Sequence, residues 1–359
     1  MRIAWLMPGL HRGGGVRMAV ELSRELTIRG HEVTFLVAGK RVGYPVPPDI
    51  KVVKCGWDFN SPLVSVLGSL LPIMFKIPPV DLIIASMYPL TAWSRVIGYF
   101  KDLPSLFFVM GDEVHLFDDH HHIPNPLLVS LYRRLTVFSY HRAHIVVNSH
   151  WTATRIVSVG GPPPIGVIPG GVSPQFLAPH PKSSSLQEPP HIVSVGRLSP
   201  AKGLNDLVKA LNILVSNGRN VRLTLISPDV TALESAQFPY EIINSQDDGQ
   251  LVEAYRGGDI FVNPSWREGF GLPVLEAMAC GLPIITTDCG GIREFVRHRI
   301  NGWVVPVRDP LTMAKAIDLL LGSPQLRSQL ARAGWETAHQ FTWERSGGIF
   351  HRLLKEKFP

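Results

Sequence analysis

The chain has 359 residues and a formal net charge of +6, and 45% of its residues are hydrophobic. This length suffices for two domains of ordinary size, each with a full apolar core. The positive charge favours anionic partners, such as nucleotide phosphates or an acidic membrane surface. Nucleic acid is the least favoured of these and we expect none, because the chain has neither an arginine-rich tail nor an RNA-type aromatic motif.

Cysteine usage and apolar runs indicate a cytoplasmic location. The three cysteines, Cys55, Cys280 and Cys289, are few for this length and lack metal-ligand spacing, which fits a reducing compartment. The apolar run at the N-terminus is ended early by proline and glycine, so it predicts a buried first strand rather than a signal peptide. The longest apolar stretch, 62–75, is shorter than the roughly 20 residues that a bilayer requires.

One basic and apolar segment allows two interpretations. Residues 127–140 alternate apolar groups with Arg133 and Arg134, and Arg142 follows. The pattern fits a basic helix that lies on an anionic membrane, which would make the protein peripheral at the cytoplasmic membrane face. It fits equally a helix packed on the core with a solvated basic edge.

The first half of the chain alternates short apolar runs with amphipathic helical patterns. A helix is predicted at 16–29. The predicted strands lie at 2–7, 32–37, 81–85, 105–110 and 145–148. Strands that alternate with helices imply a parallel sheet covered on both faces.

The same pattern restarts after a segment rich in proline, serine and lysine, 179–190, which we interpret as a linker. A helix follows at 204–216. The predicted strands of this half lie at 191–195, 221–226, 241–243, 260–263 and 283–286. The fold class is therefore α/β, with two Rossmann-like doubly wound domains that face a central cleft, and ligands are expected at the carboxyl ends of the strands.

The domain boundaries follow from these patterns. The first domain is expected at 1–178, on the acceptor side, and the second at 191–340. The last segment, 341–359, is amphipathic and has no domain left to build. We expect it to form a helix that packs back on the first domain.

The segment from Glu268 to Glu276 carries the most chemistry. It places one carboxylate in a glycine-containing loop and a second carboxylate in a helix, with Pro273 suited to the first helical turn. The amides of Phe270, Gly271 and Leu272 would lie at the helix N-terminus and form an anion site. Two carboxylates would instead accept hydroxyl groups. An anion with many hydroxyls describes a nucleotide diphosphate sugar. The alternative is an ordinary loop before a buried helix.

Two further turns follow strands and contain glycine. Arg197 and Lys202 lie in the turn after strand 191–195, where two cations could clamp a diphosphate. Gly14 and Gly15 lie in a triple-glycine turn after the first strand, where the backbone can approach a phosphate or an acceptor closely. The spacing does not fit a dinucleotide fingerprint. Solvated cations and a flexible surface turn are the alternatives.

Polar side chains also follow strand 105–110. Asp112 and His115 belong to the run Gly111-Asp112-Glu113-Val114-His115 and could face the cleft. They could contact the sugar or orient an acceptor hydroxyl, although a solvated acidic loop is an equally good interpretation. The run 118–122, Asp-Asp-His-His-His, is interpreted as a solvated loop, because consecutive residues rarely converge on one metal ion.

Taken together, these motifs resemble those of the retaining glycosyltransferases of family 4, which have the GT-B fold. The resemblance covers most of the chain and is strongest from 191 to 310. Its specificity lies in the joint order and spacing of the elements. These are Gly13-Gly14, Gly196-Arg197-Leu198, Lys202-Gly203, Pro264-Ser265, Glu268 to Pro273, Glu276-Ala277-Met278, Asn301-Gly302 and Val305-Pro306.

The resemblance implies roles for individual residues. Arg197 and Lys202 would bind the donor diphosphate, Glu276 the ribose hydroxyls and Glu268 the donor sugar. The amides around Gly271 would contact the donor as well. Transfer would proceed with retention of anomeric configuration, without a metal or a cofactor. We also expect Gly14 and Gly15 to bind the donor.

Two departures from the family pattern concern the acceptor and the base. Many relatives have a histidine directly after the strand that matches 105–110, whereas this chain has Gly111-Asp112. Asp112 and His115 are therefore only candidates for a catalytic role. The usual Gly-x-Gly after strand 221–226 is replaced by Ser227-Pro228-Asp229, which leaves the identity of the nucleobase open.

The predicted function is transfer of a sugar from a nucleotide diphosphate sugar to a hydroxyl of a glycan or glycolipid acceptor. Two alternatives remain. A sugar-nucleotide epimerase could use the same scaffold, since fold does not determine function. A non-catalytic nucleotide-sugar binder is the other, although the intact pair of glutamates argues against it.

Overall fold

The structure is a computed structural model that divides into two units. The first unit is formed by Met1–Gly171 together with Trp343–Pro359, and the second by Val172–Thr342. The structure describes residues 1–39, 43–56, 68–88, 90–115, 126–141, 143–182, 185–229, 233, 235–245 and 247–359.

The first unit is built on a parallel sheet of seven strands, in the order β3-β2-β1-β4-β5-β6-β7. The strands are β1 (Arg2–Met7), β2 (Glu32–Val37), β3 (Lys51–Lys54), β4 (Leu82–Ala85), β5 (Ser105–Val109), β6 (His144–Val147) and β7 (Gly166–Val167). The helices are α1 (Gly14–Ile28), α2 (Leu70–Lys76), α3 (Leu90–Lys101), α4 (Pro126–Tyr140), α5 (His150–Ser158) and α11 (Trp343–Lys357), the last of the chain.

Strand register assigns the helices of the first unit to two faces of its sheet. Residues paired in a parallel sheet point to the same face, and Leu6, Ala85 and Phe107 form such a row across β1, β4 and β5. Residues of α2 and α3 pack with Leu6 and Ala85, and residues of α4 and α5 pack with Phe107. On the opposite face, Trp5 contacts Phe350 of α11. Helices α2 to α5 therefore share one face.

The second unit contains a parallel sheet of six strands, in the order β10-β9-β8-β11-β12-β13. The strands are β8 (His191–Val195), β9 (Arg222–Ile226), β10 (Tyr240–Ile243), β11 (Ile260–Asn263), β12 (Ile284–Thr287) and β13 (Trp303–Val305). The helices are α6 (Leu204–Ser216), α7 (Asp248–Gly257), α8 (Leu272–Ala279), α9 (Pro310–Gly322) and α10 (Pro324–Ala338). The central strands are buried, as continuous apolar runs in a doubly covered sheet require.

The structure draws the boundary between the units earlier than the sequence indicates. Residues 172–178 belong to the second unit rather than the first. The segment predicted as a linker also lies along the second unit, where the Lys182 amide donates to the Gly281 carbonyl at 2.9 Å. The amide of Gln187 donates to Asp259 Oδ2 at 3.1 Å. These hydrogen bonds hold a proline-rich segment against the second unit, although its composition alone predicts a linker.

Helix α11 returns to the first unit, where the sequence places it. Its Phe350 is buried beside Trp5 and Phe108, with ring centroids 6.2 and 5.7 Å away. Three strands escaped prediction, β3, β7 and β13, which have only four, two and three residues. In the described part of the chain, no helix has both the length and the apolar content needed to cross a membrane.

Candidate functional site

Three loops of the second unit meet at the carboxyl edge of its sheet. They follow β8, β11 and β12, which are neighbours in the sheet, and they comprise residues 196–203, 264–271 and 288–291. The carboxyl ends of adjacent parallel strands are where doubly wound folds bind ligands. Sequence distance therefore does not separate these loops in space.

Backbone hydrogen bonds join the three loops. The Trp266 amide donates to the Ala201 carbonyl at 2.8 Å, which ties the second loop to the first. The Glu268 amide donates to the Cys289 carbonyl, and the Gly291 amide donates to the Glu268 carbonyl, both at 2.8 Å. Both backbone polar groups of Glu268 are thus held by the third loop. Its side chain projects from a fixed backbone.

Glycine is required where these loops touch. Gly203 has a φ of +64°, and a Cβ on it would lie 2.0 Å from the Pro264 carbonyl oxygen. A Cβ on Gly291 would lie 2.1 Å from the Gly269 carbonyl oxygen. Any side chain at either position would push the loops apart. The glycines after β8 and β12 therefore serve close packing of the loops.

The close packing brings Lys202 and Glu268 together. The Lys202 Nζ lies 2.7 Å from Glu268 Oε1, and the Ser265 hydroxyl donates to the same oxygen at 2.8 Å. The two charged side chains are 33% and 15% exposed, so their polar ends border solvent. An ammonium has three N–H donors, and Glu268 accepts from one of them. Lys202 can therefore serve an additional anion.

Arg197 lies in the same loop as Lys202, directly after β8, and is half-buried. Its neighbour Leu198 donates its amide to Asp229 Oδ2 at 2.7 Å. Asp229 follows β9, and its own amide is held by the Ser227 hydroxyl at 3.0 Å. The segment that replaces the usual Gly-x-Gly thus fixes the backbone beside Arg197.

Helix α8 begins at this edge of the sheet with the expected geometry. Gly271 precedes it in the left-handed region, with φ +93°, and Pro273 lies in the first turn. The side chains of Phe270 and Leu272 are buried, and Phe270 packs against Phe295 with ring centroids 5.2 Å apart. At these two positions the backbone, rather than the buried side chain, is therefore the part that could contact a ligand.

Glu276 is buried inside α8, with 5% of the residue exposed. The hydroxyl of Tyr255, in α7, donates to its Oε2 at 3.0 Å. Tyr255 is a member of the site that the sequence analysis missed, and no motif marks it. It leaves further lone pairs of the carboxylate for other donors.

In the first unit, Gly14 and Gly15 open α1 directly after the β1 edge and are exposed. A Cβ on Gly15 would lie 3.6 Å from Met110 Cε, an ordinary contact, so this glycine is not required by packing. The same contact shows that the glycine turn lies beside the loop that follows β5. That loop contains the other candidates of this unit.

Asp112 and His115 form a cluster with an arginine that sequence spacing does not reveal. His115 Nδ1 lies 2.8 Å from Asp112 Oδ1, and Arg155 Nε of α5 donates to Asp112 Oδ2 at 2.9 Å. The Asp112 side chain is only 6% exposed, whereas that of His115 is 24% exposed. Asp112 therefore orients the other two side chains, and His115 is the more accessible group.

Glu113 lies between Asp112 and His115 in the sequence. The Tyr88 amide donates to its Oε2 at 3.1 Å, but burial raises the pKa of the carboxyl to about 8. Burial also raises the pKa of the neighbouring Tyr132. At neutral pH the Glu113 carboxyl is mostly protonated and can donate a hydrogen bond.

No group of three or more histidine, cysteine, aspartate or glutamate side chains among the described residues could hold a metal ion. The run 118–122 and Arg142 lie outside the described residues, so their predicted surroundings stay predictions.

The three cysteines are free and buried. Burial raises the pKa of Cys280 and Cys289 to about 12, so neither thiol is a nucleophile at neutral pH.

Two family models together match most of the chain. The model described as Glycosyltransferase Family 4 matches residues 12–176, and the model described as Glycosyl transferases group 1 matches residues 178–337. This chain belongs to glycosyltransferase family 4. The resemblance inferred from the motifs is confirmed.

A curated relative and two solved structures illustrate the kinship. A D-inositol 3-phosphate glycosyltransferase of Jonesia denitrificans is 34% identical over 169 residues, which cover 43% of this chain and 40% of the relative. Sucrose-phosphate synthase of Thermosynechococcus elongatus has a TM-score of 0.78 at 18% identity, with 99% of both chains covered. Anabaena HepE in complex with UDP-glucose has a TM-score of 0.75 at 18% identity, with 99% of this chain and all of that chain covered.

The structural matches confirm the predicted fold class, since both units have the doubly wound architecture of the GT-B glycosyltransferases. At these identities they carry the fold alone. The chain spans about half the length of the curated relatives that it matches, 40% and 55% for two of them.

Proposed function

We propose that this protein is a retaining glycosyltransferase that moves a sugar from a nucleotide diphosphate sugar to a hydroxyl of a glycan or glycolipid acceptor. One observation carries the proposal. Lys202 pairs with Glu268, and Glu268 lies in the loop that leads into α8, within three loops that hydrogen bonds join at the carboxyl edge of the second sheet. A cation, a carboxylate and free helical amides are the groups that a diphosphate joined to a sugar requires.

Each part of the donor would bind to the groups that complement its charge. Lys202 and Arg197, with the amides near Gly271, would bind the diphosphate oxygens, while Glu268 would accept hydroxyls of the sugar. Glu276 would accept the ribose hydroxyls, with its carboxylate oriented by Tyr255. The backbone at Gly14 and Gly15 would approach the donor closely. HepE of Anabaena, which has been solved with UDP-glucose, supports a uridine donor as the first candidate.

The reaction breaks the bond between the anomeric carbon and the diphosphate and forms a bond from that carbon to the acceptor oxygen. Negative charge grows on the departing diphosphate, and the fixed cations and helix amides would stabilise it without reorganisation. The proton of the acceptor hydroxyl would leave with the diphosphate oxygen when both events occur on one face of the sugar. Asp112 and His115 are proposed to contact the acceptor. No metal or cofactor is required by this scheme.

A cytoplasmic location is also proposed, because the cysteines are few and those in the described part of the chain are buried and free. This stays a proposal. The anionic membrane partner predicted from the sequence is a separate proposal, and exposed residues of the first unit carry it.

A nucleotide-sugar panel tests the proposed function. A donor that binds the native state at concentrations well above its dissociation constant raises the apparent melting temperature. The stabilising donor is then incubated with glycan and glycolipid acceptors, and the anomeric configuration of the product is determined by NMR. Transfer with retention supports the proposal. A changed nucleotide sugar without acceptor would identify an epimerase instead, and binding without turnover would identify a non-catalytic binder.

A further inference from the structure

Helix α4 presents an apolar stripe to solvent. Leu127, Leu131, Leu135 and Phe138 are spaced by four, four and three residues, so they lie along one side of the helix. Their exposed fractions are 78%, 52%, 39% and 67%. The opposite side meets the core, where Tyr140 is buried. Helix α4 is therefore packed on the core, and its solvent edge carries large apolar side chains as well as Arg134.

Two neighbouring helices extend this surface. Helices α2, α3 and α4 pack on the same face of the first sheet, so their outward sides all point away from that face. Leu71 and Phe75 of α2 are 61% and 81% exposed, and Tyr99 and Phe100 of α3 are 85% and 71% exposed. Large apolar side chains that cluster at a surface mark an interaction site, whereas isolated ones need no explanation.

The charge of these helices selects the partner. Helices α2, α3 and α4 together contain five lysines and arginines and no aspartate or glutamate. Of these basic residues, Lys76, Lys101 and Arg134 are exposed, and Arg95 and Arg133 are half-buried. Exposed apolar side chains on helices whose only charged residues are basic complement the apolar interior and the anionic headgroups of a bilayer surface. A second copy of the same surface would bring its exposed basic residues against the same basic residues, which disfavours self-association.

We propose that the outward side of α2, α3 and α4, here named the apolar–basic face, binds a bilayer surface that contains anionic lipid. The apolar side chains would insert among the headgroups, and the exposed Lys76, Lys101 and Arg134 would pair with lipid phosphates. Binding is interfacial, since these helices have only seven, twelve and fifteen residues. If the proposed function also holds, the acceptor is a lipid-linked glycan or glycolipid at that surface.

Vesicle flotation of the full chain tests the proposal. Unilamellar vesicles of phosphatidylcholine are compared with vesicles that contain about 30% phosphatidylglycerol, because each basic residue near an anionic surface strengthens binding by roughly fivefold. The protein should float only with the anionic vesicles, and raising the salt should release it. The Leu131→Glu variant should weaken binding by at least about tenfold, since an inserted leucine is replaced by a charge.

Matched controls separate the face from general surface effects. Leu311, in the first turn of α9, is 50% exposed, so Leu311→Glu changes the same residue type at the same exposure in the other unit and should bind as wild type. Arg134→Gln should weaken binding by about fivefold. Arg332→Gln, at an exposed position of α10, should not change it.

Several results would overturn the proposal. Equal flotation with neutral and anionic vesicles, or equal loss in both leucine variants, would remove the apolar–basic face as the membrane contact. No flotation together with a dimer in sedimentation velocity that Leu131→Glu dissolves would assign the face to a second copy. Donor-induced thermal stabilisation of the same preparations is scored separately, so a chain that binds nucleotide sugar but no vesicle contradicts only the membrane proposal.

Discussion

Replacement of Lys202 by methionine is the sharpest perturbation of the proposed donor site. Methionine keeps the length of the side chain and removes the ammonium, so packing in the loop is largely retained. In the structure the ammonium lies 2.7 Å from Glu268 Oε1, so it joins the loop after β8 to the loop after β11. The substitution therefore separates a role in chemistry from a role in folding.

The expected effects differ in size. The ion pair is partly exposed, at 33% and 15% for the two side chains, and Glu268 keeps the hydroxyl of Ser265 as a donor. We therefore expect a loss of about 1 kcal/mol in the free energy of unfolding, near the upper end for exposed pairs. Loss of one fixed charge that stabilises a leaving group lowers kcat by about 10²- to 10³-fold.

The assay combines steady-state transfer kinetics with denaturant unfolding. The control is Lys209→Met, which removes an exposed lysine from α6 of the same unit and should change neither quantity. The double variant Lys202→Met with Glu268→Gln removes the carboxylate charge that the single variant leaves uncompensated. It should recover stability without recovering kcat. Wild-type kcat in Lys202→Met would refute the proposed stabilisation of the diphosphate.

Four further outcomes are expected. Burial lowers the pKa of His31, which contacts His351, from 6.5 to about 4. The native state therefore favours the neutral imidazole. Its contribution to the free energy of unfolding is fully present above pH 6.5 and is lost as the pH falls to about 4. The loss in the free energy of unfolding is at most about 3 kcal/mol. Calorimetry across this pH range should show that the stability of His31→Asn depends less on pH than that of the wild type. An equal pH dependence in both proteins would exclude His31 as the cause. Gly203→Ala should destabilise the protein by more than about 1 kcal/mol and weaken donor stabilisation in a thermal-shift assay; an unchanged melting temperature would contradict the close loop contact. Tyr255→Phe leaves Glu276 one donor short and should raise the KM for donor more than it lowers kcat, whereas an unchanged KM would separate this pair from the ribose. Transfer should persist in excess chelator, and its complete loss, restored by added metal, would contradict the metal-independent scheme.

The strand pattern of this protein was readable from the sequence, because buried parallel strands must be continuous apolar runs. The bounds of β1, β2, β8 and β11 agree with their runs to the residue. The edge strands β3, β7 and β13 were not readable, since short strands with half-buried residues carry little apolar signal. The loops proposed to bind the donor follow the buried strands, where parallel topology gathers ligand-binding groups.

The contacts inside the site were a matter of tertiary structure. Lys202 and Glu268 are 66 residues apart and were assigned separate ligands from the sequence, yet they form one ion pair. Arg155 joins Asp112 across 43 residues, with no motif to mark it. Hydrogen bonds of this kind depend on which loops the sheet order brings together.

The sequence by itself determined that there are two doubly wound sheets and which turns carry charge and glycine, because hydrophobic periodicity and turn chemistry act locally. Only the tertiary structure decided which side of α4 meets the sheet. Both sides of that helix carry apolar residues, so the sequence pattern allows either side to face the sheet. Packing against Phe107 and its neighbours determines which side does so. The side left over is the apolar–basic face, and its exposure follows from that choice.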